Sequence, residues 1–547
     1  MFGLWAVARH SFRQCIRTKV AGLFIILLAV ALAVLPFIMK GDGTLAGQIR
    51  TFLSYSLAIT GILLSLVTVF LAVGVVTGDV QHKQIISLAT KPLARWQYIL
   101  GRWLGVVVLD VLLLAVAGGV IYGLAQYLRR GEALNPTDRR AVETEIFTAR
   151  ARVRPLPLDL DARIEARIRE LRENGEYDAV IAAYIAYSPG DETLALDRLR
   201  GDLERQFSEE MQSIAPGKST AWQFEGIDVA GEAQRGPAQI LQVDRQAGVV
   251  VVRADPALLS RLIYSGPVRL NNADGQVAQV GDDVIAVRFH QQQLAAGGEA
   301  SRFEAGREVE LTAEPTVQIT FKATATRVPS DRGLDSSWEV SNPSTGYVHM
   351  ERLEHPHMLP ATLVVSARVV DELGRTNVRY YNLNLAEGEQ TSVTILHDDM
   401  GVLYRVGTFE GNFIRSLVLI LVQLTFLAGL GVLAASFLSF PVACVFTLFL
   451  LIVQRAMGFL MEATNPNPSP SAQPGLFDYF SHYIVLGLKW LLPGEGVVPG
   501  DALVDGMRIP VLVMADAVGK TVLVVTALLL VLACAIFRKR ELARVQV

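Results

Sequence analysis

The sequence predicts an α-helical polytopic membrane protein: six transmembrane helices in a 3+3 arrangement with an inserted α+β extracytoplasmic domain. Three observations predict it. Of 547 residues, 51% are hydrophobic and 19% charged, below the roughly 25% charged residues of soluble domains. Uncharged or nearly uncharged runs long enough to cross a bilayer occur near both ends and nowhere in the middle. Charge divides the same way: residues 1–127 hold 10 Lys+Arg against 3 Asp+Glu, residues 128–412 hold 31 against 43, and residues 413–547 hold 9 against 7. The net charge of −3 averages two blocks suited to lipid and one acidic block suited to water, which argues against a purely soluble enzyme and a nucleic-acid binder.

A helix needs about 20 apolar residues to span a bilayer core. The expected spans are Val20–Met39, Phe52–Thr77, Trp103–Tyr127, Phe413–Leu438, Pro441–Met461 and Ala517–Phe537. Asp110, Arg415, Arg455 and Lys520 interrupt four of them. Asp110 and Arg455 are the candidate functional charges, because ionisable groups inside spans are costly; near helix ends, snorkelling accounts for such charges equally well. The first run exceeds a signal-peptide core and no small-residue cleavage site follows, so it reads as retained.

Lys and Arg set the orientation. Arg9, Arg13, Arg17 and Lys19, then Lys83, Lys91, Arg95 and Arg102, then Arg538, Lys539, Arg540 and Arg544 fall on one side of a six-span chain. Both termini are therefore expected in the cytoplasm and the 128–412 insert outside. The three cysteines, Cys15, Cys444 and Cys534, lie in or beside the membrane segments, so no disulfide braces the insert.

Residues 2–19 have the pattern of an amphipathic helix, with Phe2, Trp5, Phe12 and Ile16 near one face and Arg9, Arg13 and Arg17 on another. That pattern suits a helix lying in the membrane interface; a plain extension of the first span is the alternative. In the 78–102 segment, Ile85, Ile86, Leu88 and Ala89 form a short apolar helix, Pro92 breaks it, and Arg95, Trp96, Tyr98 and Arg102 lead into the third span. It reads as a docking element or as a plain joining loop.

This stretch, KPLARWQYILGRWLG, resembles the loop between the second and third helices of ABC-2-type permeases, the membrane subunits of one class of ABC exporters. The matching positions are Gly78, Lys91, Pro92, Arg95, Tyr98, Gly101 and Arg102; where the family usually enters the loop with Glu, this chain has Asp79. The basic N-terminal helix, the turn at Ser439-Phe440-Pro441, the amphipathic LFDYFSHYIVLGLKWLL segment before the last span and the closing FRKREL are similar to the family too. The resemblance covers the membrane residues and not the insert. It implies a homodimer of permeases driven by two ATPase subunits that bind ATP and Mg, with Gly78, Asp79, Lys91, Pro92, Arg95, Tyr98 and Arg102 coupling hydrolysis to movement.

The chain is not expected to carry the ATPase itself. In QSIAPGKST and MADAVGKTV, Gln212 and Met514 stand where a P-loop needs its first Gly. No catalytic residues are assigned and no cofactor is expected in the chain.

Within the insert, residues 137–215 are expected as a helical hairpin, with Leu160, Ile164, Ile168 and Leu171, then Leu196, Leu199, Leu203 and Phe207, at helical spacing. Residues 220–406 carry short alternating runs separated by Gly, Asp, Asn and Pro, as in a β-sandwich or jelly roll. His349, His355 and His357, flanked by Met350 and Met358, are candidate copper or zinc ligands, or merely residues of a surface loop.

The function expected is a permease subunit of an ABC exporter in a bacterial inner membrane, with a periplasmic substrate or partner at the insert. The alternative is a mechanotransmission subunit that works the insert on a periplasmic partner without transport. A membrane-anchored sensor or enzyme lacking an ATPase is the third reading.

Overall fold

A computed structural model of the chain describes residues 2–38, 41–81, 94–157, 160–187, 192–229, 234–255, 267–271, 273–280, 284–289, 303–313, 315–325, 333–385, 390–465, 476–492 and 499–539. The chain divides into two compact units, Met1–Ala149 with Gly407–Val547, and Arg150–Val406.

The first unit is helical and membrane-embedded. It opens with α1 (Phe2–Ile16), α2 (Lys19–Ile38), α3 (Leu45–Gln81) and α4 (Arg95–Arg129). The short α5 (Pro136–Ala141) runs into a π-helical turn, Val142–Ile146. Among the described residues, four helical stretches are long and apolar enough to cross a bilayer: Leu45–Asp79, Arg95–Arg129, Phe409–Phe437 and Val511–Arg538. A fifth is possible only if Phe440–Arg455 and Met457–Ala463, bent by 58°, count as one. The uninterrupted helix expected over Pro441–Met461 is therefore corrected to two helices bent at Ala456. Ala456 still donates to the Ile452 carbonyl and accepts from the Leu460 amide, so the chain turns there without losing the residue's own helical bonds, a feature that hydropathy does not register.

Two of these helices exceed their expected spans at both ends. The apolar run marks only the part written for lipid, while α3 and α4 continue as helix into polar residues. The start of α3 is capped from afar. The Asp138 carboxylate accepts hydrogen bonds from the Leu45, Ala46 and Leu134 amides at 2.8–2.9 Å. Asn135 in turn caps α5, accepting from the Asp138 amide at 2.7 Å, with Pro136 at the position where a missing N–H costs nothing. Val142 and Ile146 are buried with Leu45, Ile49 and Phe52. The expected domain boundary at residue 128 thus moves to about 150, because 130–149 packs as part of the helical unit.

The other membrane half contains α9 (Phe409–Phe437), α10 (Phe440–Arg455), α11 (Met457–Ala463), α12 (Leu476–Leu491), α13 (Pro499–Val504), α14 (Val511–Ala517) and α15 (Ala527–Lys539). Between α14 and α15 the last span widens into a π-helix over Val518–Thr526. Its Thr526 hydroxyl reaches back five residues, donating to the Thr521 carbonyl at 2.7 Å. Asn412 fixes the approach to this span: its amide donates to the Met507 carbonyl and its oxygen accepts from the Ile509 amide, at 2.8 and 2.9 Å.

After its entering strand the second unit has three helices, α6 (Asp161–Glu173), α7 (Tyr177–Tyr187) and α8 (Glu192–Gln212), gathered on Ile164, Ile168, Ile181 and Leu199. A hairpin was expected; Val180 through Tyr187 lack the charged spacing of their neighbours and form a third helix between the other two.

Two layers of strands follow. One holds β1 (Thr148–Val153), β2 (Ser213–Ile214), β10 (Thr316–Ala325), β13 (Pro360–Ser366), β15 (Val393–Ile395) and β16 (Gly401–Thr408), in the order β1-β16-β10-β15-β2, with β13 also paired to β10. The other holds β3 (Ser219–Phe224), β11 (Leu334–Ser341), β12 (Val348–His355) and β14 (Thr376–Asn382), in the order β12-β11-β14-β3. Trp338, Tyr380, Phe321 and Phe224 fill the core, with Trp338 and Phe321 ring centroids 4.2 Å apart.

The remaining strands, β4 (Gln234–Asp244), β5 (Val249–Ala254), β6 (Pro267–Leu270), β7 (Ala273–Val280), β8 (Val284–Arg288) and β9 (Glu308–Ala313), close on themselves in the order β4-β5-β8-β7-β6-β9. This barrel was not expected beside a sandwich. Alternation reveals strands but not partners, and the register shifts at Ile240/Gln242 and Val277/Gln279 supply the curvature that closes it. Ile240, Val252, Leu270, Ile285 and Leu311 fill the interior.

Candidate functional site

Among the described residues of the helical unit, a buried polar cluster lies where α1, the end of α3 and the start of α4 meet. Arg102 pairs with Asp79, and the two side chains are 2% and 1% exposed. The Tyr98 hydroxyl donates to the same Asp79 oxygen, Oδ2, at 2.7 Å. The guanidinium of Arg102 also donates to Ser11 Oγ at 3.2 Å and Gln14 Oε1 at 2.8 Å. One cation thus joins three helices, and its position 5.2 Å above the Tyr98 ring adds a cation–π contact.

Close backbone approach makes this possible. Gly101 and Gly105 present bare backbone to α1. A Cβ at Gly101 would lie 2.7 Å from Val7 Cβ, and one at Gly105 would lie 2.5 Å from Ser11 Cβ and 2.7 Å from the Ala8 carbonyl. This is the small-xxx-small device of apolar helix pairs, with Val7, Ala8, Ser11 and Cys15 as the matching face. The face of α1 that packs on α4 is neither the aromatic nor the basic face read from residues 2–19. Trp5 and Ile16 are exposed, as are Arg9, Arg13 and Arg17, while the small residues between them dock.

The last span joins the same place. The Tyr98 ring stacks on Phe537 at 5.4 Å, and Arg95 donates to the Arg538 carbonyl at 2.7 Å. Of the expected coupling residues, Asp79, Arg95, Tyr98 and Arg102 therefore come together; Gly78 lies one residue away with open space around it. Lys91 and Pro92 lie outside the described residues. Asp79, Tyr98 and Arg102 are interior groups. They can hold a docking element rigid, but they cannot themselves touch a docked subunit.

Asp110 and Arg455 are separate from this cluster. Asp110 is fully buried near the middle of α4, where its Oδ1 lies 2.9 Å from the Thr68 hydroxyl. It is not the helix-end residue that the apolar run implied, since α4 extends eight residues before Trp103. Arg455 ends α10 and donates to Gln423 Oε1 at 3.1 Å.

The histidines do not converge. His355 is buried edge-on to Phe321 at 5.0 Å and lies 3.4 Å from the Tyr380 hydroxyl. Burial pushes its pKa down, against smaller opposing effects of the Pro356 carbonyl and Asp335. His357 Nδ1 accepts from the Ala325 amide at 3.1 Å, and His349 sits 3.2 Å from Glu351. Among the described residues no three His, Cys, Asp or Glu side chains group as metal ligands. The expected His349–His355–His357 candidates are thus distributed over a strand and the turn after it.

Ser11, Gln14, Gly105, Thr68 and Gln423 were not singled out from sequence. Gly101 and Gly105 at four-residue spacing in an apolar helix are a legible packing signal; the polar four are ordinary side chains until a neighbouring helix gives them partners. No protein-family model matches this chain, and neither does any curated protein.

Proposed function

We propose that the chain is the membrane-spanning permease subunit of an ABC exporter, pairing with a second copy and driven by two separate ATPase subunits. The supporting observation is the Asp79–Arg102–Tyr98 cluster with its Ser11, Gln14 and Arg95–Arg538 extensions. It ties α1, the end of α3, the start of α4 and the end of the last span into one plate, and the ends of α3 and α4 flank the 82–94 segment. A push on that segment reaches all four helices through preformed contacts. The resemblance of Gly78 through Arg102 to the ABC-2 loop supports the same reading.

In this reading six helices cross the bilayer. Lys19–Ile38 is twenty residues, about 30 Å of helix, and the bent pair α10–α11 is the fifth crossing. Both termini are cytoplasmic and Arg150–Val406 is periplasmic, in a bacterial inner membrane. The test is co-purification of the full chain with its neighbouring gene products. A stoichiometric ATPase whose turnover rises with the permease supports the proposal; a chain that never retains an ATPase overturns it.

The side-chain-filled barrel favours a second reading, in which the periplasmic unit acts on a partner protein. Vesicle assays separate the two: ATP-dependent movement of substrate supports export, and hydrolysis without movement supports mechanotransmission.

A further inference from the structure

Arg455 stands at the end of α10, yet it does not stand at the edge of the bundle. Its guanidinium bonds to Gln423, the central residue of α9, and lies 3.9 Å from the position a Cβ on Gly61 would take, near the middle of α3. Two neighbouring helices therefore give its depth independently. The outermost basic residues of those helices are Arg415 and Arg50. At 1.5 Å per residue, Gln423 lies about 12 Å below Arg415 and Gly61 about 16 Å below Arg50. The helix stops beneath that level because the backbone turns by 58° between α10 and α11.

Among the described residues the charge is uncompensated. Its hydrogen-bond acceptor is a neutral amide, and no ion pair to Arg455 exists among the described residues. Of the stretches outside the described residues between α11 and α14, 466–475 contain no Asp or Glu and 493–498 contain one, Glu495. Arg455 is exposed on the bundle surface, amid exposed Phe449, Ile452 and Phe459. A permanently charged guanidinium in apolar surroundings needs an anion, and a bidentate one matches its fork. Phospholipid headgroups at rest lie at the interface, above this depth. Among the described residues a Cβ at Gly61 would meet the Arg455 guanidinium and no other group within 4 Å, and the helix bends by 58° just past Arg455.

We propose that Arg455, with the Gln423 amide and the space at Gly61, is a mid-membrane binding site for the phosphate or carboxylate headgroup of an amphiphile passing along the side of the bundle. The proposal names a substrate class for the export reading and rests on it only for direction of movement. Binding itself needs no ATPase, so the two fail separately.

The test uses the full chain in phosphatidylcholine nanodiscs, with added phosphatidylglycerol, oleate or inorganic phosphate as probes and native mass spectrometry as the readout. Retention of phosphatidylglycerol or oleate is expected, with no retention of inorganic phosphate. Arg455→Gln should weaken retention roughly tenfold or more, the loss of one charge-assisted contact, and Arg455→Lys should retain part of it. Gly61→Leu, which fills the space beside the guanidinium and leaves the charge in place, should weaken retention as well and guards against a misfolded Arg455→Gln. Equal retention by wild type and both Arg455→Gln and Gly61→Leu overturns the proposal. So does binding of inorganic phosphate as tight as that of the amphiphiles. Loss of a dimer on Arg455→Gln with unchanged amphiphile retention would assign the anion to a second copy of the chain and overturn it too.

Discussion

Arg102 holds Asp79 in an ion pair that solvent barely reaches, with Tyr98 bonded to the same carboxylate oxygen. Removing one partner of a buried pair strands the other charge, at a cost of about 3–5 kcal/mol. Arg102→Met is therefore expected to lower the thermal stability of the full chain sharply in detergent. Asp79→Asn with Arg102→Met leaves no stranded charge and should recover part of the loss. Additive effects of the two substitutions would show that the pair is not coupled.

The contact between α1 and α4 makes a separate prediction. Gly105→Leu forces a side chain onto Ser11 and the Ala8 carbonyl, and overpacking of this kind costs about 1–3 kcal/mol. The helix should detach before the bundle melts. Cys15 reports this, since it is fully buried in the docked state. In a variant retaining only Cys15, maleimide labelling should accelerate about tenfold with Gly105→Leu, the rate equivalent of about 1.4 kcal/mol. An unchanged labelling rate would place the hold on α1 elsewhere.

Asp138 caps α3 with a carboxylate that three backbone amides share. Burial pushes its pKa up, but the Ala46, Leu45 and Leu134 amides outweigh that and hold it below the usual carboxylate range. A carboxyl with a lowered folded pKa contributes stability that is present above its unfolded value near 4 and disappears as pH falls through the folded value. Asp138→Ala should destabilise the start of α3 by about 1–3 kcal/mol at pH 7 and less at pH 3. Hydrogen exchange of peptides covering 45–53 measures this.

His355 gives the Arg150–Val406 unit a pH response of its own. It is buried neutral, so the unfolded chain takes up a proton that the folded chain refuses, and stability declines as pH falls below the ordinary histidine value of about 6.5. Exchange in β11 and β12 should quicken from pH 7 to pH 5 in the wild type. His355→Phe, which keeps the ring among Phe321 and Tyr380, should flatten that slope. Because the three histidines are partnered separately, added zinc should leave the melting temperature of the wild type unchanged; a zinc-dependent rise lost in His349→Ala would contradict the arrangement.

Much of the membrane half was legible because lipid imposes a simple rule on composition. The run from Phe52 to Thr77 announces a helix whatever its neighbours do. Legibility ends where partners matter. Arg455 and Asp110 looked alike as charges in apolar runs, yet one is sealed against Thr68 and the other lies open beside Gln423. The strand Thr316–Ala325 was readable from its alternation, but not that β13 and β16 flank it. The barrel and the sandwich draw on the same kinds of short strand, and only long-range register tells them apart. Within the candidate site, Arg95, Tyr98 and Arg102 stood out by type and spacing, whereas Ser11 and Gln14 acquire meaning only from a helix that contacts them some ninety residues later.

The strands by which the chain enters and leaves the Arg150–Val406 unit, β1 and β16, are neighbours in one sheet. Hydrogen-bonded strands lie about 4.8 Å apart, so the two severed ends of the membrane half would need only a few residues to be rejoined. The insert is thus a cassette with a single hyphen-width opening in the parent chain. An insert entered and left at one place can be exchanged, enlarged or deleted without redrawing the path of any helix in the membrane half.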